Sequence, residues 1–326
     1  MMKNKDYSVH KVSVVVPVYN EEDCLKELIS RSLEALKKTE KDYELILVDD
    51  GSRDSSVEIM LDAAEKSEGK VVAVILNRNY GQHSAIMAGF AEAQGDLVIT
   101  IDADLQNPPE EFPRMVQKAE EGYDVVGTVR AHRKDSILRR LPSWVVNRIA
   151  QKATGVKMND YGCMLRAYRA PVVKAMLACN ERSTFIPVLG NSFARNTCEI
   201  DVGHNKRETG TSKYSMIKLI NLQFNLLTCM TTAPLRMMSY IGGLVSFGGI
   251  LFGLLVLIFR FVWGAQWAGD GVFTLMAFVF IIAGIQLMAL GLVGEYLGRM
   301  YYDVRARPRY FVEMIVGRKD ETPENK

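Results

Sequence analysis

Apolar positions follow two different periods along the first 130 residues of the chain. Short β-branched runs such as 12–18 and 71–76 predict buried strands, whereas Leu25, Leu28 and Ile29 recur at helical spacing between strands. Strands that alternate with helices build βαβ units, so this pattern predicts an α/β domain with a mainly parallel sheet. The predicted strands cover residues 12–18, 43–48, 71–76, 96–101 and 123–129. The predicted helices cover 23–38, a segment capped by Ser52 or Asp54, a segment ending near Gly95, and 109–121.

Polar clusters follow four of these predicted strands. In parallel α/β sheets, ligands bind beyond the carboxyl ends of the strands. One such cluster would be ordinary turn chemistry, whereas four at one edge of a sheet indicate a ligand site. The clusters are Tyr19-Asn20-Glu21, Asp49-Asp50-Gly51-Ser52, Asn77-Arg78-Asn79-Tyr80-Gly81 and Asp102-Ala103-Asp104-Leu105-Gln106.

The fourth cluster carries two carboxylates separated by one alanine. Because side chains alternate along an extended chain, Asp102 and Asp104 are predicted to point to the same side. Two acids on one face repel each other unless a cation lies between them. Hard oxygen ligands suit Mg²⁺ or Mn²⁺, which usually also binds substrate phosphates. We therefore expect Asp104 and Asp102 to hold a divalent metal.

Two nucleotide-binding motifs are missing, and the acids that are present favour a sugar nucleotide as the ligand. No G-x-G-x-x-G follows the first strand and no G-x-x-x-x-G-K-[ST] occurs, which argues against dinucleotide and P-loop chemistry. Basic and acidic residues nearly balance, at 40 and 38, so the net charge gives no reason to expect nucleic acid as a partner. Acids at the second strand end suit a base or ribose, and a metal at Asp104 would neutralise a diphosphate.

The C-terminal third contains two long uncharged stretches, 237–259 and 271–294. Each exceeds the roughly 20 residues that a helix needs to cross a bilayer. Basic residues flank the pair, while the intervening loop 260–270 carries only one, so both termini are predicted to be cytoplasmic. The five cysteines show no metal-ligand spacing, which fits reduced cytosolic thiols.

The resulting domain prediction has four parts. Residues 130–214 are basic and show no regular period, and the arginines around 139–148 fit either a membrane surface or an ordinary solvated helix. The predicted parts are a cytoplasmic catalytic domain (1–212), an interfacial amphipathic helix (213–234), two transmembrane helices with a short outer loop at 260–270 (235–296), and a cytoplasmic basic tail (297–326).

Several motifs resemble a known family. The chain is similar, over roughly residues 12–312, to the family 2 glycosyltransferases that load sugars onto polyprenyl phosphates. Stretches 76–90, 160–169 and 303–312 resemble the branch of that family that transfers 4-deoxy-4-formamido-L-arabinose. The motifs that carry the family resemblance are Pro17-Val18-Tyr19-Asn20-Glu21, Asp49-Asp50-Gly51-Ser52, Asp102-Ala103-Asp104-Leu105-Gln106 with Pro108-Pro109, and Arg207…Gly210…Ser212-Lys213-Tyr214.

The resemblance implies a fold, two substrates and a cellular role. It implies a Rossmann-like GT-A catalytic domain that uses Mg²⁺ or Mn²⁺. The donor would be UDP-4-deoxy-4-formamido-L-arabinose, and the acceptor undecaprenyl phosphate in the bacterial inner membrane. The product would serve lipid A modification and hence polymyxin resistance. Members of this type form homo-oligomers, often tetramers.

The resemblance also implies roles for individual residues. Asp102 would lie near the ribose or diphosphate, Asp104 would hold the metal, and Gln106 would lie beside the sugar or a metal-bound water. Pro17, Tyr19, Glu21 and Asp50 would surround the uridine, and Arg207, Ser212 and Lys213 would share the diphosphate charge. Apart from the resemblance, the acceptor phosphate needs cationic partners, for which Arg130 and Arg133 are candidates; the alternative for each is a surface charge that faces lipid.

Asp160 matches the family position usually assigned to the general base. A phosphate monoester has a second pKa near ~6, so the acceptor is mostly a dianion at neutral pH and hardly needs deprotonation. Asp160 would then position Arg166 or the sugar instead.

Two other functions remain open at this stage. A transferase of the same family could use glucose, mannose or GlcNAc, and a membrane-anchored nucleotide sensor would bind the donor without turnover. Metal-dependent release of UDP would separate an enzyme from a sensor.

Overall fold

The computed structural model describes residues 7–130, 163–179, 185–203, 233–263, 272–305 and 307–318. The chain divides into two units. The first comprises Met1–Leu226 and Arg307–Lys326, and the second comprises Leu227–Ala306.

An eight-stranded sheet forms the centre of the first unit. Its order is β7-β5-β6-β4-β1-β2-β3-β8. The strands are β1 (Lys11–Val18), β2 (Asp42–Asp49), β3 (Val71–Leu76), β4 (Leu97–Thr100), β5 (Val125–Arg130), β6 (Arg166–Arg169), β7 (Thr197–Val202) and β8 (Val312–Val316).

Among the described residues of the first unit, six helices accompany the sheet. They are α1 (Glu22–Lys37), α2 (Ser56–Lys66), α3 (Gln82–Glu92), α4 (Phe112–Glu120), which follows a 3₁₀ turn at Pro109–Glu111, α5 (Ala170–Ala178) and α6 (Ile186–Phe193). The apolar residues of α1 that recur at helical spacing are buried, including Leu25 and Leu28, which are fully inaccessible.

Parallel pairing fixes one functional edge of the sheet. β1 pairs in parallel with β2 and β4, and β2 pairs in parallel with β3. The carboxyl ends of these four strands therefore meet at one edge, which we call the carboxyl edge. The prediction of a mainly parallel α/β sheet is confirmed, and the five predicted strands match β1 to β5 to within two residues at each end.

Two strands run antiparallel to their neighbours, and the sequence analysis missed both. β6 lies between β4 and β5, and β8 pairs with β3. The prediction that residues 130–214 are irregular is wrong for β6, α5, α6 and β7. β6 has the sequence Arg-Ala-Tyr-Arg, and its charges hide a strand in which Arg166 and Tyr168 are nevertheless fully buried.

The predicted basic tail at 297–326 also needs correction. Residues up to Val304 belong to a helix, and Val312–Val316 form an edge strand of the sheet. Arg309 donates to the carbonyl of Cys179, and Arg318 forms an ion pair with Glu92 at 3.0 Å. Arg309 and Arg318 therefore bind other residues of the first unit, to which 307–326 belong.

A close approach of α3 to β1 requires glycine at position 89. A Cβ atom there would lie 2.3 Å from Cγ1 of the fully buried Val15. Helix propensity alone favours alanine over glycine by about 1 kcal/mol. Steric overlap in a packed core costs about 1–3 kcal/mol, so the contact opposes the gain in propensity.

We expect Gly89→Ala to lower the free energy of unfolding despite its better helix propensity. The midpoint of thermal unfolding in detergent, followed by circular dichroism, should fall by roughly 2–4 °C per kcal/mol lost. Gly284→Ala is a suitable control because a Cβ there meets nothing within 4 Å. An unchanged or higher midpoint for Gly89→Ala would show that α3 moves away without cost.

The second unit consists of two long apolar helices, α7 (Ala233–Trp263) and α8 (Val272–Val304). The segments Pro234–Leu255 and Ile281–Gly298 are long and apolar enough to cross a membrane. The two helices touch each other through Phe252 and Phe278, whose ring centroids lie 5.8 Å apart. Most of the predicted interfacial helix at 213–234 lies outside the described residues.

Candidate active site

Four loops at the carboxyl edge are joined into a closed circuit of hydrogen bonds. They follow β1 (19–22), β2 (50–55), β3 (77–82) and β4 (101–106), and we call them together the strand-end ring. Each loop bonds to the next, and the loop after β4 is bonded in turn to the start of α1. The convergence that the sequence predicted is therefore built from direct contacts.

The first and second loops are joined through Asn20. Its backbone N–H donates to Oγ of Ser52 at 3.0 Å, and its side-chain oxygen accepts from the Arg53 N–H at 2.8 Å. Asn20 adopts a φ of 54°, a left-handed conformation that asparagine tolerates better than most residues. The predicted cap of α2 by Ser52 or Asp54 is wrong: Ser55 occupies the cap position and makes no side-chain capping hydrogen bond, although Asp54 just before it accepts from the Ser56 N–H at 3.1 Å.

Asp50 joins the second loop to the third. Its two carboxylate oxygens accept from the backbone N–H groups of Tyr80, at 2.7 Å, and Gly81, at 2.9 Å. Burial raises the pKa of Asp50, and these two hydrogen bonds oppose that rise. The backbone of Gly51 packs closely against the same loop, because a Cβ there would lie 2.6 Å from the Asn79 nitrogen. Asp50 therefore fixes the position of residues 77–81.

The side chain of Gln82 joins the third loop to the fourth. Its Nε2 donates to Oδ1 of Asp102 at 2.6 Å. Gln82 is the first residue of α3 and is exposed to solvent.

Cys24, in the first turn of α1, closes the circuit. Its Sγ lies 3.3 Å from the carbonyl oxygen of Ala103 and 3.3 Å from Oε2 of Glu21. Burial and the neighbouring Glu21 carboxylate raise the pKa of the Cys24 thiol to about 12. The thiol is therefore protonated at neutral pH and acts as a hydrogen-bond donor between the first and fourth loops.

The two carboxylates of the fourth loop lie in a turn. β4 ends at Thr100, and Ala103 and Asp104 form a turn, so the acids follow the strand and are not part of it. Burial nevertheless alternates: Ala103 is buried, whereas Asp102 and Asp104 are half-buried. Oδ1 of Asp104 accepts from the Gln106 backbone N–H at 3.2 Å. Both acids thus keep access to solvent while one oxygen of each receives an N–H group.

These two carboxylates fit a divalent metal whose remaining coordination positions are filled by water and substrate oxygens. The described residues contain no group of three or more His, Cys, Asp or Glu side chains arranged to hold a metal. Mg²⁺ is commonly bound through one or two carboxylates and keeps its other positions for water and phosphate oxygens. Two partly exposed carboxylates at a strand end match that pattern.

The predicted site residues fall into two groups. Tyr19, which is 45% exposed, and half-buried Gln106 belong to the strand-end ring, whereas Pro17 is buried within β1. The ring also contains Glu21, Asp50, Asp102 and Asp104. The other candidates lie outside the described residues or, for Arg130, have only the backbone described; they are Arg130, Arg133, Asp160, Arg207, Ser212 and Lys213.

Chain direction brings the flanks of these remaining candidates to the same edge. β5 runs parallel to β7 and both are antiparallel in sense to β6, so Arg130 and Val202 end strands at the carboxyl edge. Arg166 starts β6 opposite Thr100, the last residue of β4. Just before it, Cys163 lies 2.9 Å from Oγ1 of Thr128. In sequence, positions 130, 160 and 207 are therefore at most six residues from a residue at that edge.

The sequence analysis did not identify Gln82 or Cys24 as part of this site. Cys24 belongs to no motif singled out above, Gln82 lies in stretch 76–90 with no role assigned to it there, and each bonds to a residue at least twenty positions away. The only available signal was topological, since Gln82 follows the third strand end directly.

The fold resembles that of a solved sugar transferase structure. The mannosyl-3-phosphoglycerate synthase from Rubrobacter xylanophilus matches with a TM-score of 0.50 and 16% sequence identity, covering 71% of this chain and 75% of that one. At this identity the likeness shows the fold alone.

Two curated relatives match almost the whole chain. A protein from Photorhabdus laumondii is 60% identical over 309 residues, which cover 95% of each chain. A protein from Shewanella sediminis is 62% identical over 305 residues, covering 94% of this chain and 92% of the relative. Both are named undecaprenyl-phosphate 4-deoxy-4-formamido-L-arabinose transferase.

The family model described as glycosyl transferase family 2 matches residues 13–177, which contain most of β1, all of β2 to β6 and the whole strand-end ring. The resemblance noted in the sequence is thereby confirmed. The chain belongs to glycosyl transferase family 2 and is a glycosyltransferase.

Proposed function

We propose that this protein transfers 4-deoxy-4-formamido-L-arabinose from its UDP donor to undecaprenyl phosphate. The observation that carries the proposal is the 60–62% identity to transferases of that name across at least 92% of both chains. The product would then serve lipid A modification and polymyxin resistance.

The strand-end ring is suited to the donor nucleotide. Tyr19 presents an exposed aromatic ring that can stack on a base. Glu21 and Asp50 lie in adjacent loops and offer oxygen atoms to the N–H and hydroxyl groups of a uridine. Pro17 would act from within β1, as a support beneath the loop.

Asp102 and Asp104 would hold Mg²⁺ or Mn²⁺, with Gln106 beside them. When bound, such a metal neutralises the negative charge that develops on the departing diphosphate. Arg207, Ser212 and Lys213 would add cationic and hydroxyl partners for the same phosphate oxygens.

The reaction would be a single displacement with inversion at the anomeric carbon. An oxygen of the acceptor phosphate forms the new bond to that carbon, and the bond to the UDP oxygen breaks with its electron pair. Since the acceptor is mostly a dianion at neutral pH, Asp160 would orient groups and would not need to remove a proton. Arg130 would bind the acceptor phosphate, and Arg133 is a further candidate.

The second unit would hold the enzyme at the inner membrane. Large apolar side chains of α7 are solvent-exposed, with Tyr240 77%, Leu244 76% and Phe247 66% accessible. Burial of such surface stabilises by about 25 cal/mol per Å², which favours an apolar surrounding. Two spans with both termini in the cytoplasm place the acceptor headgroup and the donor on the same side. A homo-oligomer, expected to be a tetramer, stays a prediction.

The proposal is tested with purified protein in detergent, undecaprenyl phosphate and Mn²⁺. UDP-linked formamido-arabinose, UDP-glucose and UDP-GlcNAc are supplied separately, and UDP release and lipid product are measured by mass spectrometry. We expect product from the formamido sugar only, and none when EDTA replaces the metal.

Product from another sugar would still support sugar transfer to undecaprenyl phosphate but would overturn the proposed donor. Donor binding without any product would instead favour the nucleotide sensor.

A further inference from the structure

We infer that Gln82 is a positioning residue for the metal-binding acids, and that it sets the orientation of Asp102 when the donor diphosphate binds. This inference rests on the proposed function, because it assumes that the strand-end ring binds a metal–nucleotide complex. The juxtaposition that carries it is the amide of Gln82, held by the first turn of α3, against Oδ1 of Asp102.

The backbone on either side of Gln82 is held firmly. The two residues before it donate their N–H groups to Asp50, and the N–H groups of Ser84 and Ala85 bond to the carbonyl of Gly81 at 2.9 and 3.2 Å. Gly81 has a φ of 91°, which turns the chain sharply into the helix. The side chain of Gln82 therefore starts from a fixed point at the carboxyl edge.

The bond from Gln82 has little to do with helix or core stability. Gln82 is exposed, and an exposed amide that lost this contact would bond to water, so the net stabilisation is at most about 0.5–1.5 kcal/mol. The bond instead joins two loops that are twenty residues apart in sequence and belong to different strands. Its main effect is to restrict the orientation of one carboxylate.

The two acids of the fourth loop are then oriented in the same way. Oδ1 of Asp102 accepts from the Gln82 side chain, and Oδ1 of Asp104 accepts from the Gln106 backbone. Carboxylates that bind metals are commonly hydrogen-bonded by a surrounding group, and losing that group typically costs 10–100-fold in metal affinity or activity. Of these two contacts, only the one to Asp102 has a side-chain donor. A substitution can therefore remove that contact, whereas the backbone donor to Asp104 remains.

The same amide also connects Asp50, the proposed uridine-binding acid of the ring, with Asp102, one of its proposed metal-binding acids. Asp50 fixes Tyr80 and Gly81, and Gln82 follows at once and reaches Asp102. Three consecutive residues thus bridge two acidic strand ends. A uridine bound at Asp50 would be held at a set distance from the metal-binding acids through this short segment.

The test compares Gln82→Leu with Gln94→Leu as the matched control. Gln94 is also exposed and makes one side-chain hydrogen bond, to Lys11 at 2.9 Å, but it lies at the amino ends of β1 and β4. Binding of UDP to the full-length protein in detergent is measured by calorimetry as Mn²⁺ is varied. Steady-state transfer gives kcat and the KM for undecaprenyl phosphate.

For Gln82→Leu we expect the Mn²⁺ concentration that half-saturates UDP binding to rise by about 10–100-fold. The KM for undecaprenyl phosphate and the thermal midpoint should stay as in the unmodified protein, and Gln94→Leu should change none of these values. Gln82→Glu should raise this Mn²⁺ concentration as Gln82→Leu does, because glutamate keeps the side-chain length but places a second carboxylate beside Asp102.

Unchanged Mn²⁺ dependence in Gln82→Leu would overturn the inference, as would an equal loss in both leucine variants. Because the calorimetric readout does not require transfer, it also separates this inference from the proposed function. An unmodified protein that binds Mn²⁺–UDP but transfers no sugar would refute the function and leave the role of Gln82 open to the same measurement.

Discussion

Asp104→Asn is expected to lower the rate of sugar transfer by about 10²–10³-fold, the loss typical when one stabilising group for developing charge is removed. Asparagine keeps the shape and one oxygen acceptor but removes the negative charge. Asp102 and Asp104 are the two proposed metal ligands, so the loss of either charge should weaken metal binding strongly.

The loss should fall mainly on turnover. The loops proposed to surround the uridine should keep their positions, because the bond that the structure shows for Asp104 is to the N–H of Gln106, two residues later. Rates are measured at several Mn²⁺ concentrations, and raised Mn²⁺ should recover part of the activity. Asp62→Asn is the control, because Asp62 pairs with Lys66 on the exposed face of α2.

Activity of Asp104→Asn near that of the control would show that this acid does not hold the metal. A fall in the thermal midpoint that parallels the loss of activity would instead indicate a folding defect.

Asp50→Asn is expected to weaken donor binding, lowering kcat/KM by about 10²-fold through a higher KM for the UDP-sugar. The carboxylate accepts from two adjacent backbone N–H groups, and an amide has only one oxygen to offer them. One N–H would face the asparagine NH₂ group, so residues 77–81 must shift. Asp42→Asn is the control, since it lies exposed at the opposite end of the same strand and pairs with Lys70.

The stability of the same variant should depend differently on pH. Burial raises the pKa of Asp50, so its contribution to folding is fully present below the unfolded pKa, near ~3.9, and is lost as pH rises through the folded value. Asp50→Asn has no proton to lose. The thermal midpoint of the variant, relative to that of the unmodified protein, should therefore rise as the pH increases from 4 to 7.

An equal pH dependence of the thermal midpoint in Asp50→Asn would mean that ionisation of Asp50 does not destabilise the folded protein. An unchanged KM would mean that Asp50 does not control the donor loops.

Regular periodicity made the first half of the fold predictable. Strands β1 to β4 each contain an apolar run and the helices between them have one apolar face, so the local pattern and the final structure agree. The carboxyl edge followed from parallel pairing, which is a rule of topology and needs no side-chain detail.

Short strands with charged residues could not be recognised in the same way. β6 spans four residues, two of them arginine, and is a strand only because β4 and β5 bond to it on both sides. The links of the strand-end ring were hidden for a related reason. A thiol in α1 and a glutamine in α3 bond to a distant loop, and no local pattern records contacts between separate parts of a chain.

The pairing of β8 with β3 has a consequence for the synthesis of this protein. The two strands lie roughly 240 residues apart, with both apolar helices between them. Domains generally fold as they emerge from the ribosome, at about 5–20 residues per second. The edge of β3 therefore stays open throughout the synthesis of α7 and α8, and is closed only after β8 has been made. A nascent chain that stalls after α8 would present an unpaired strand edge, which is a template for aggregation.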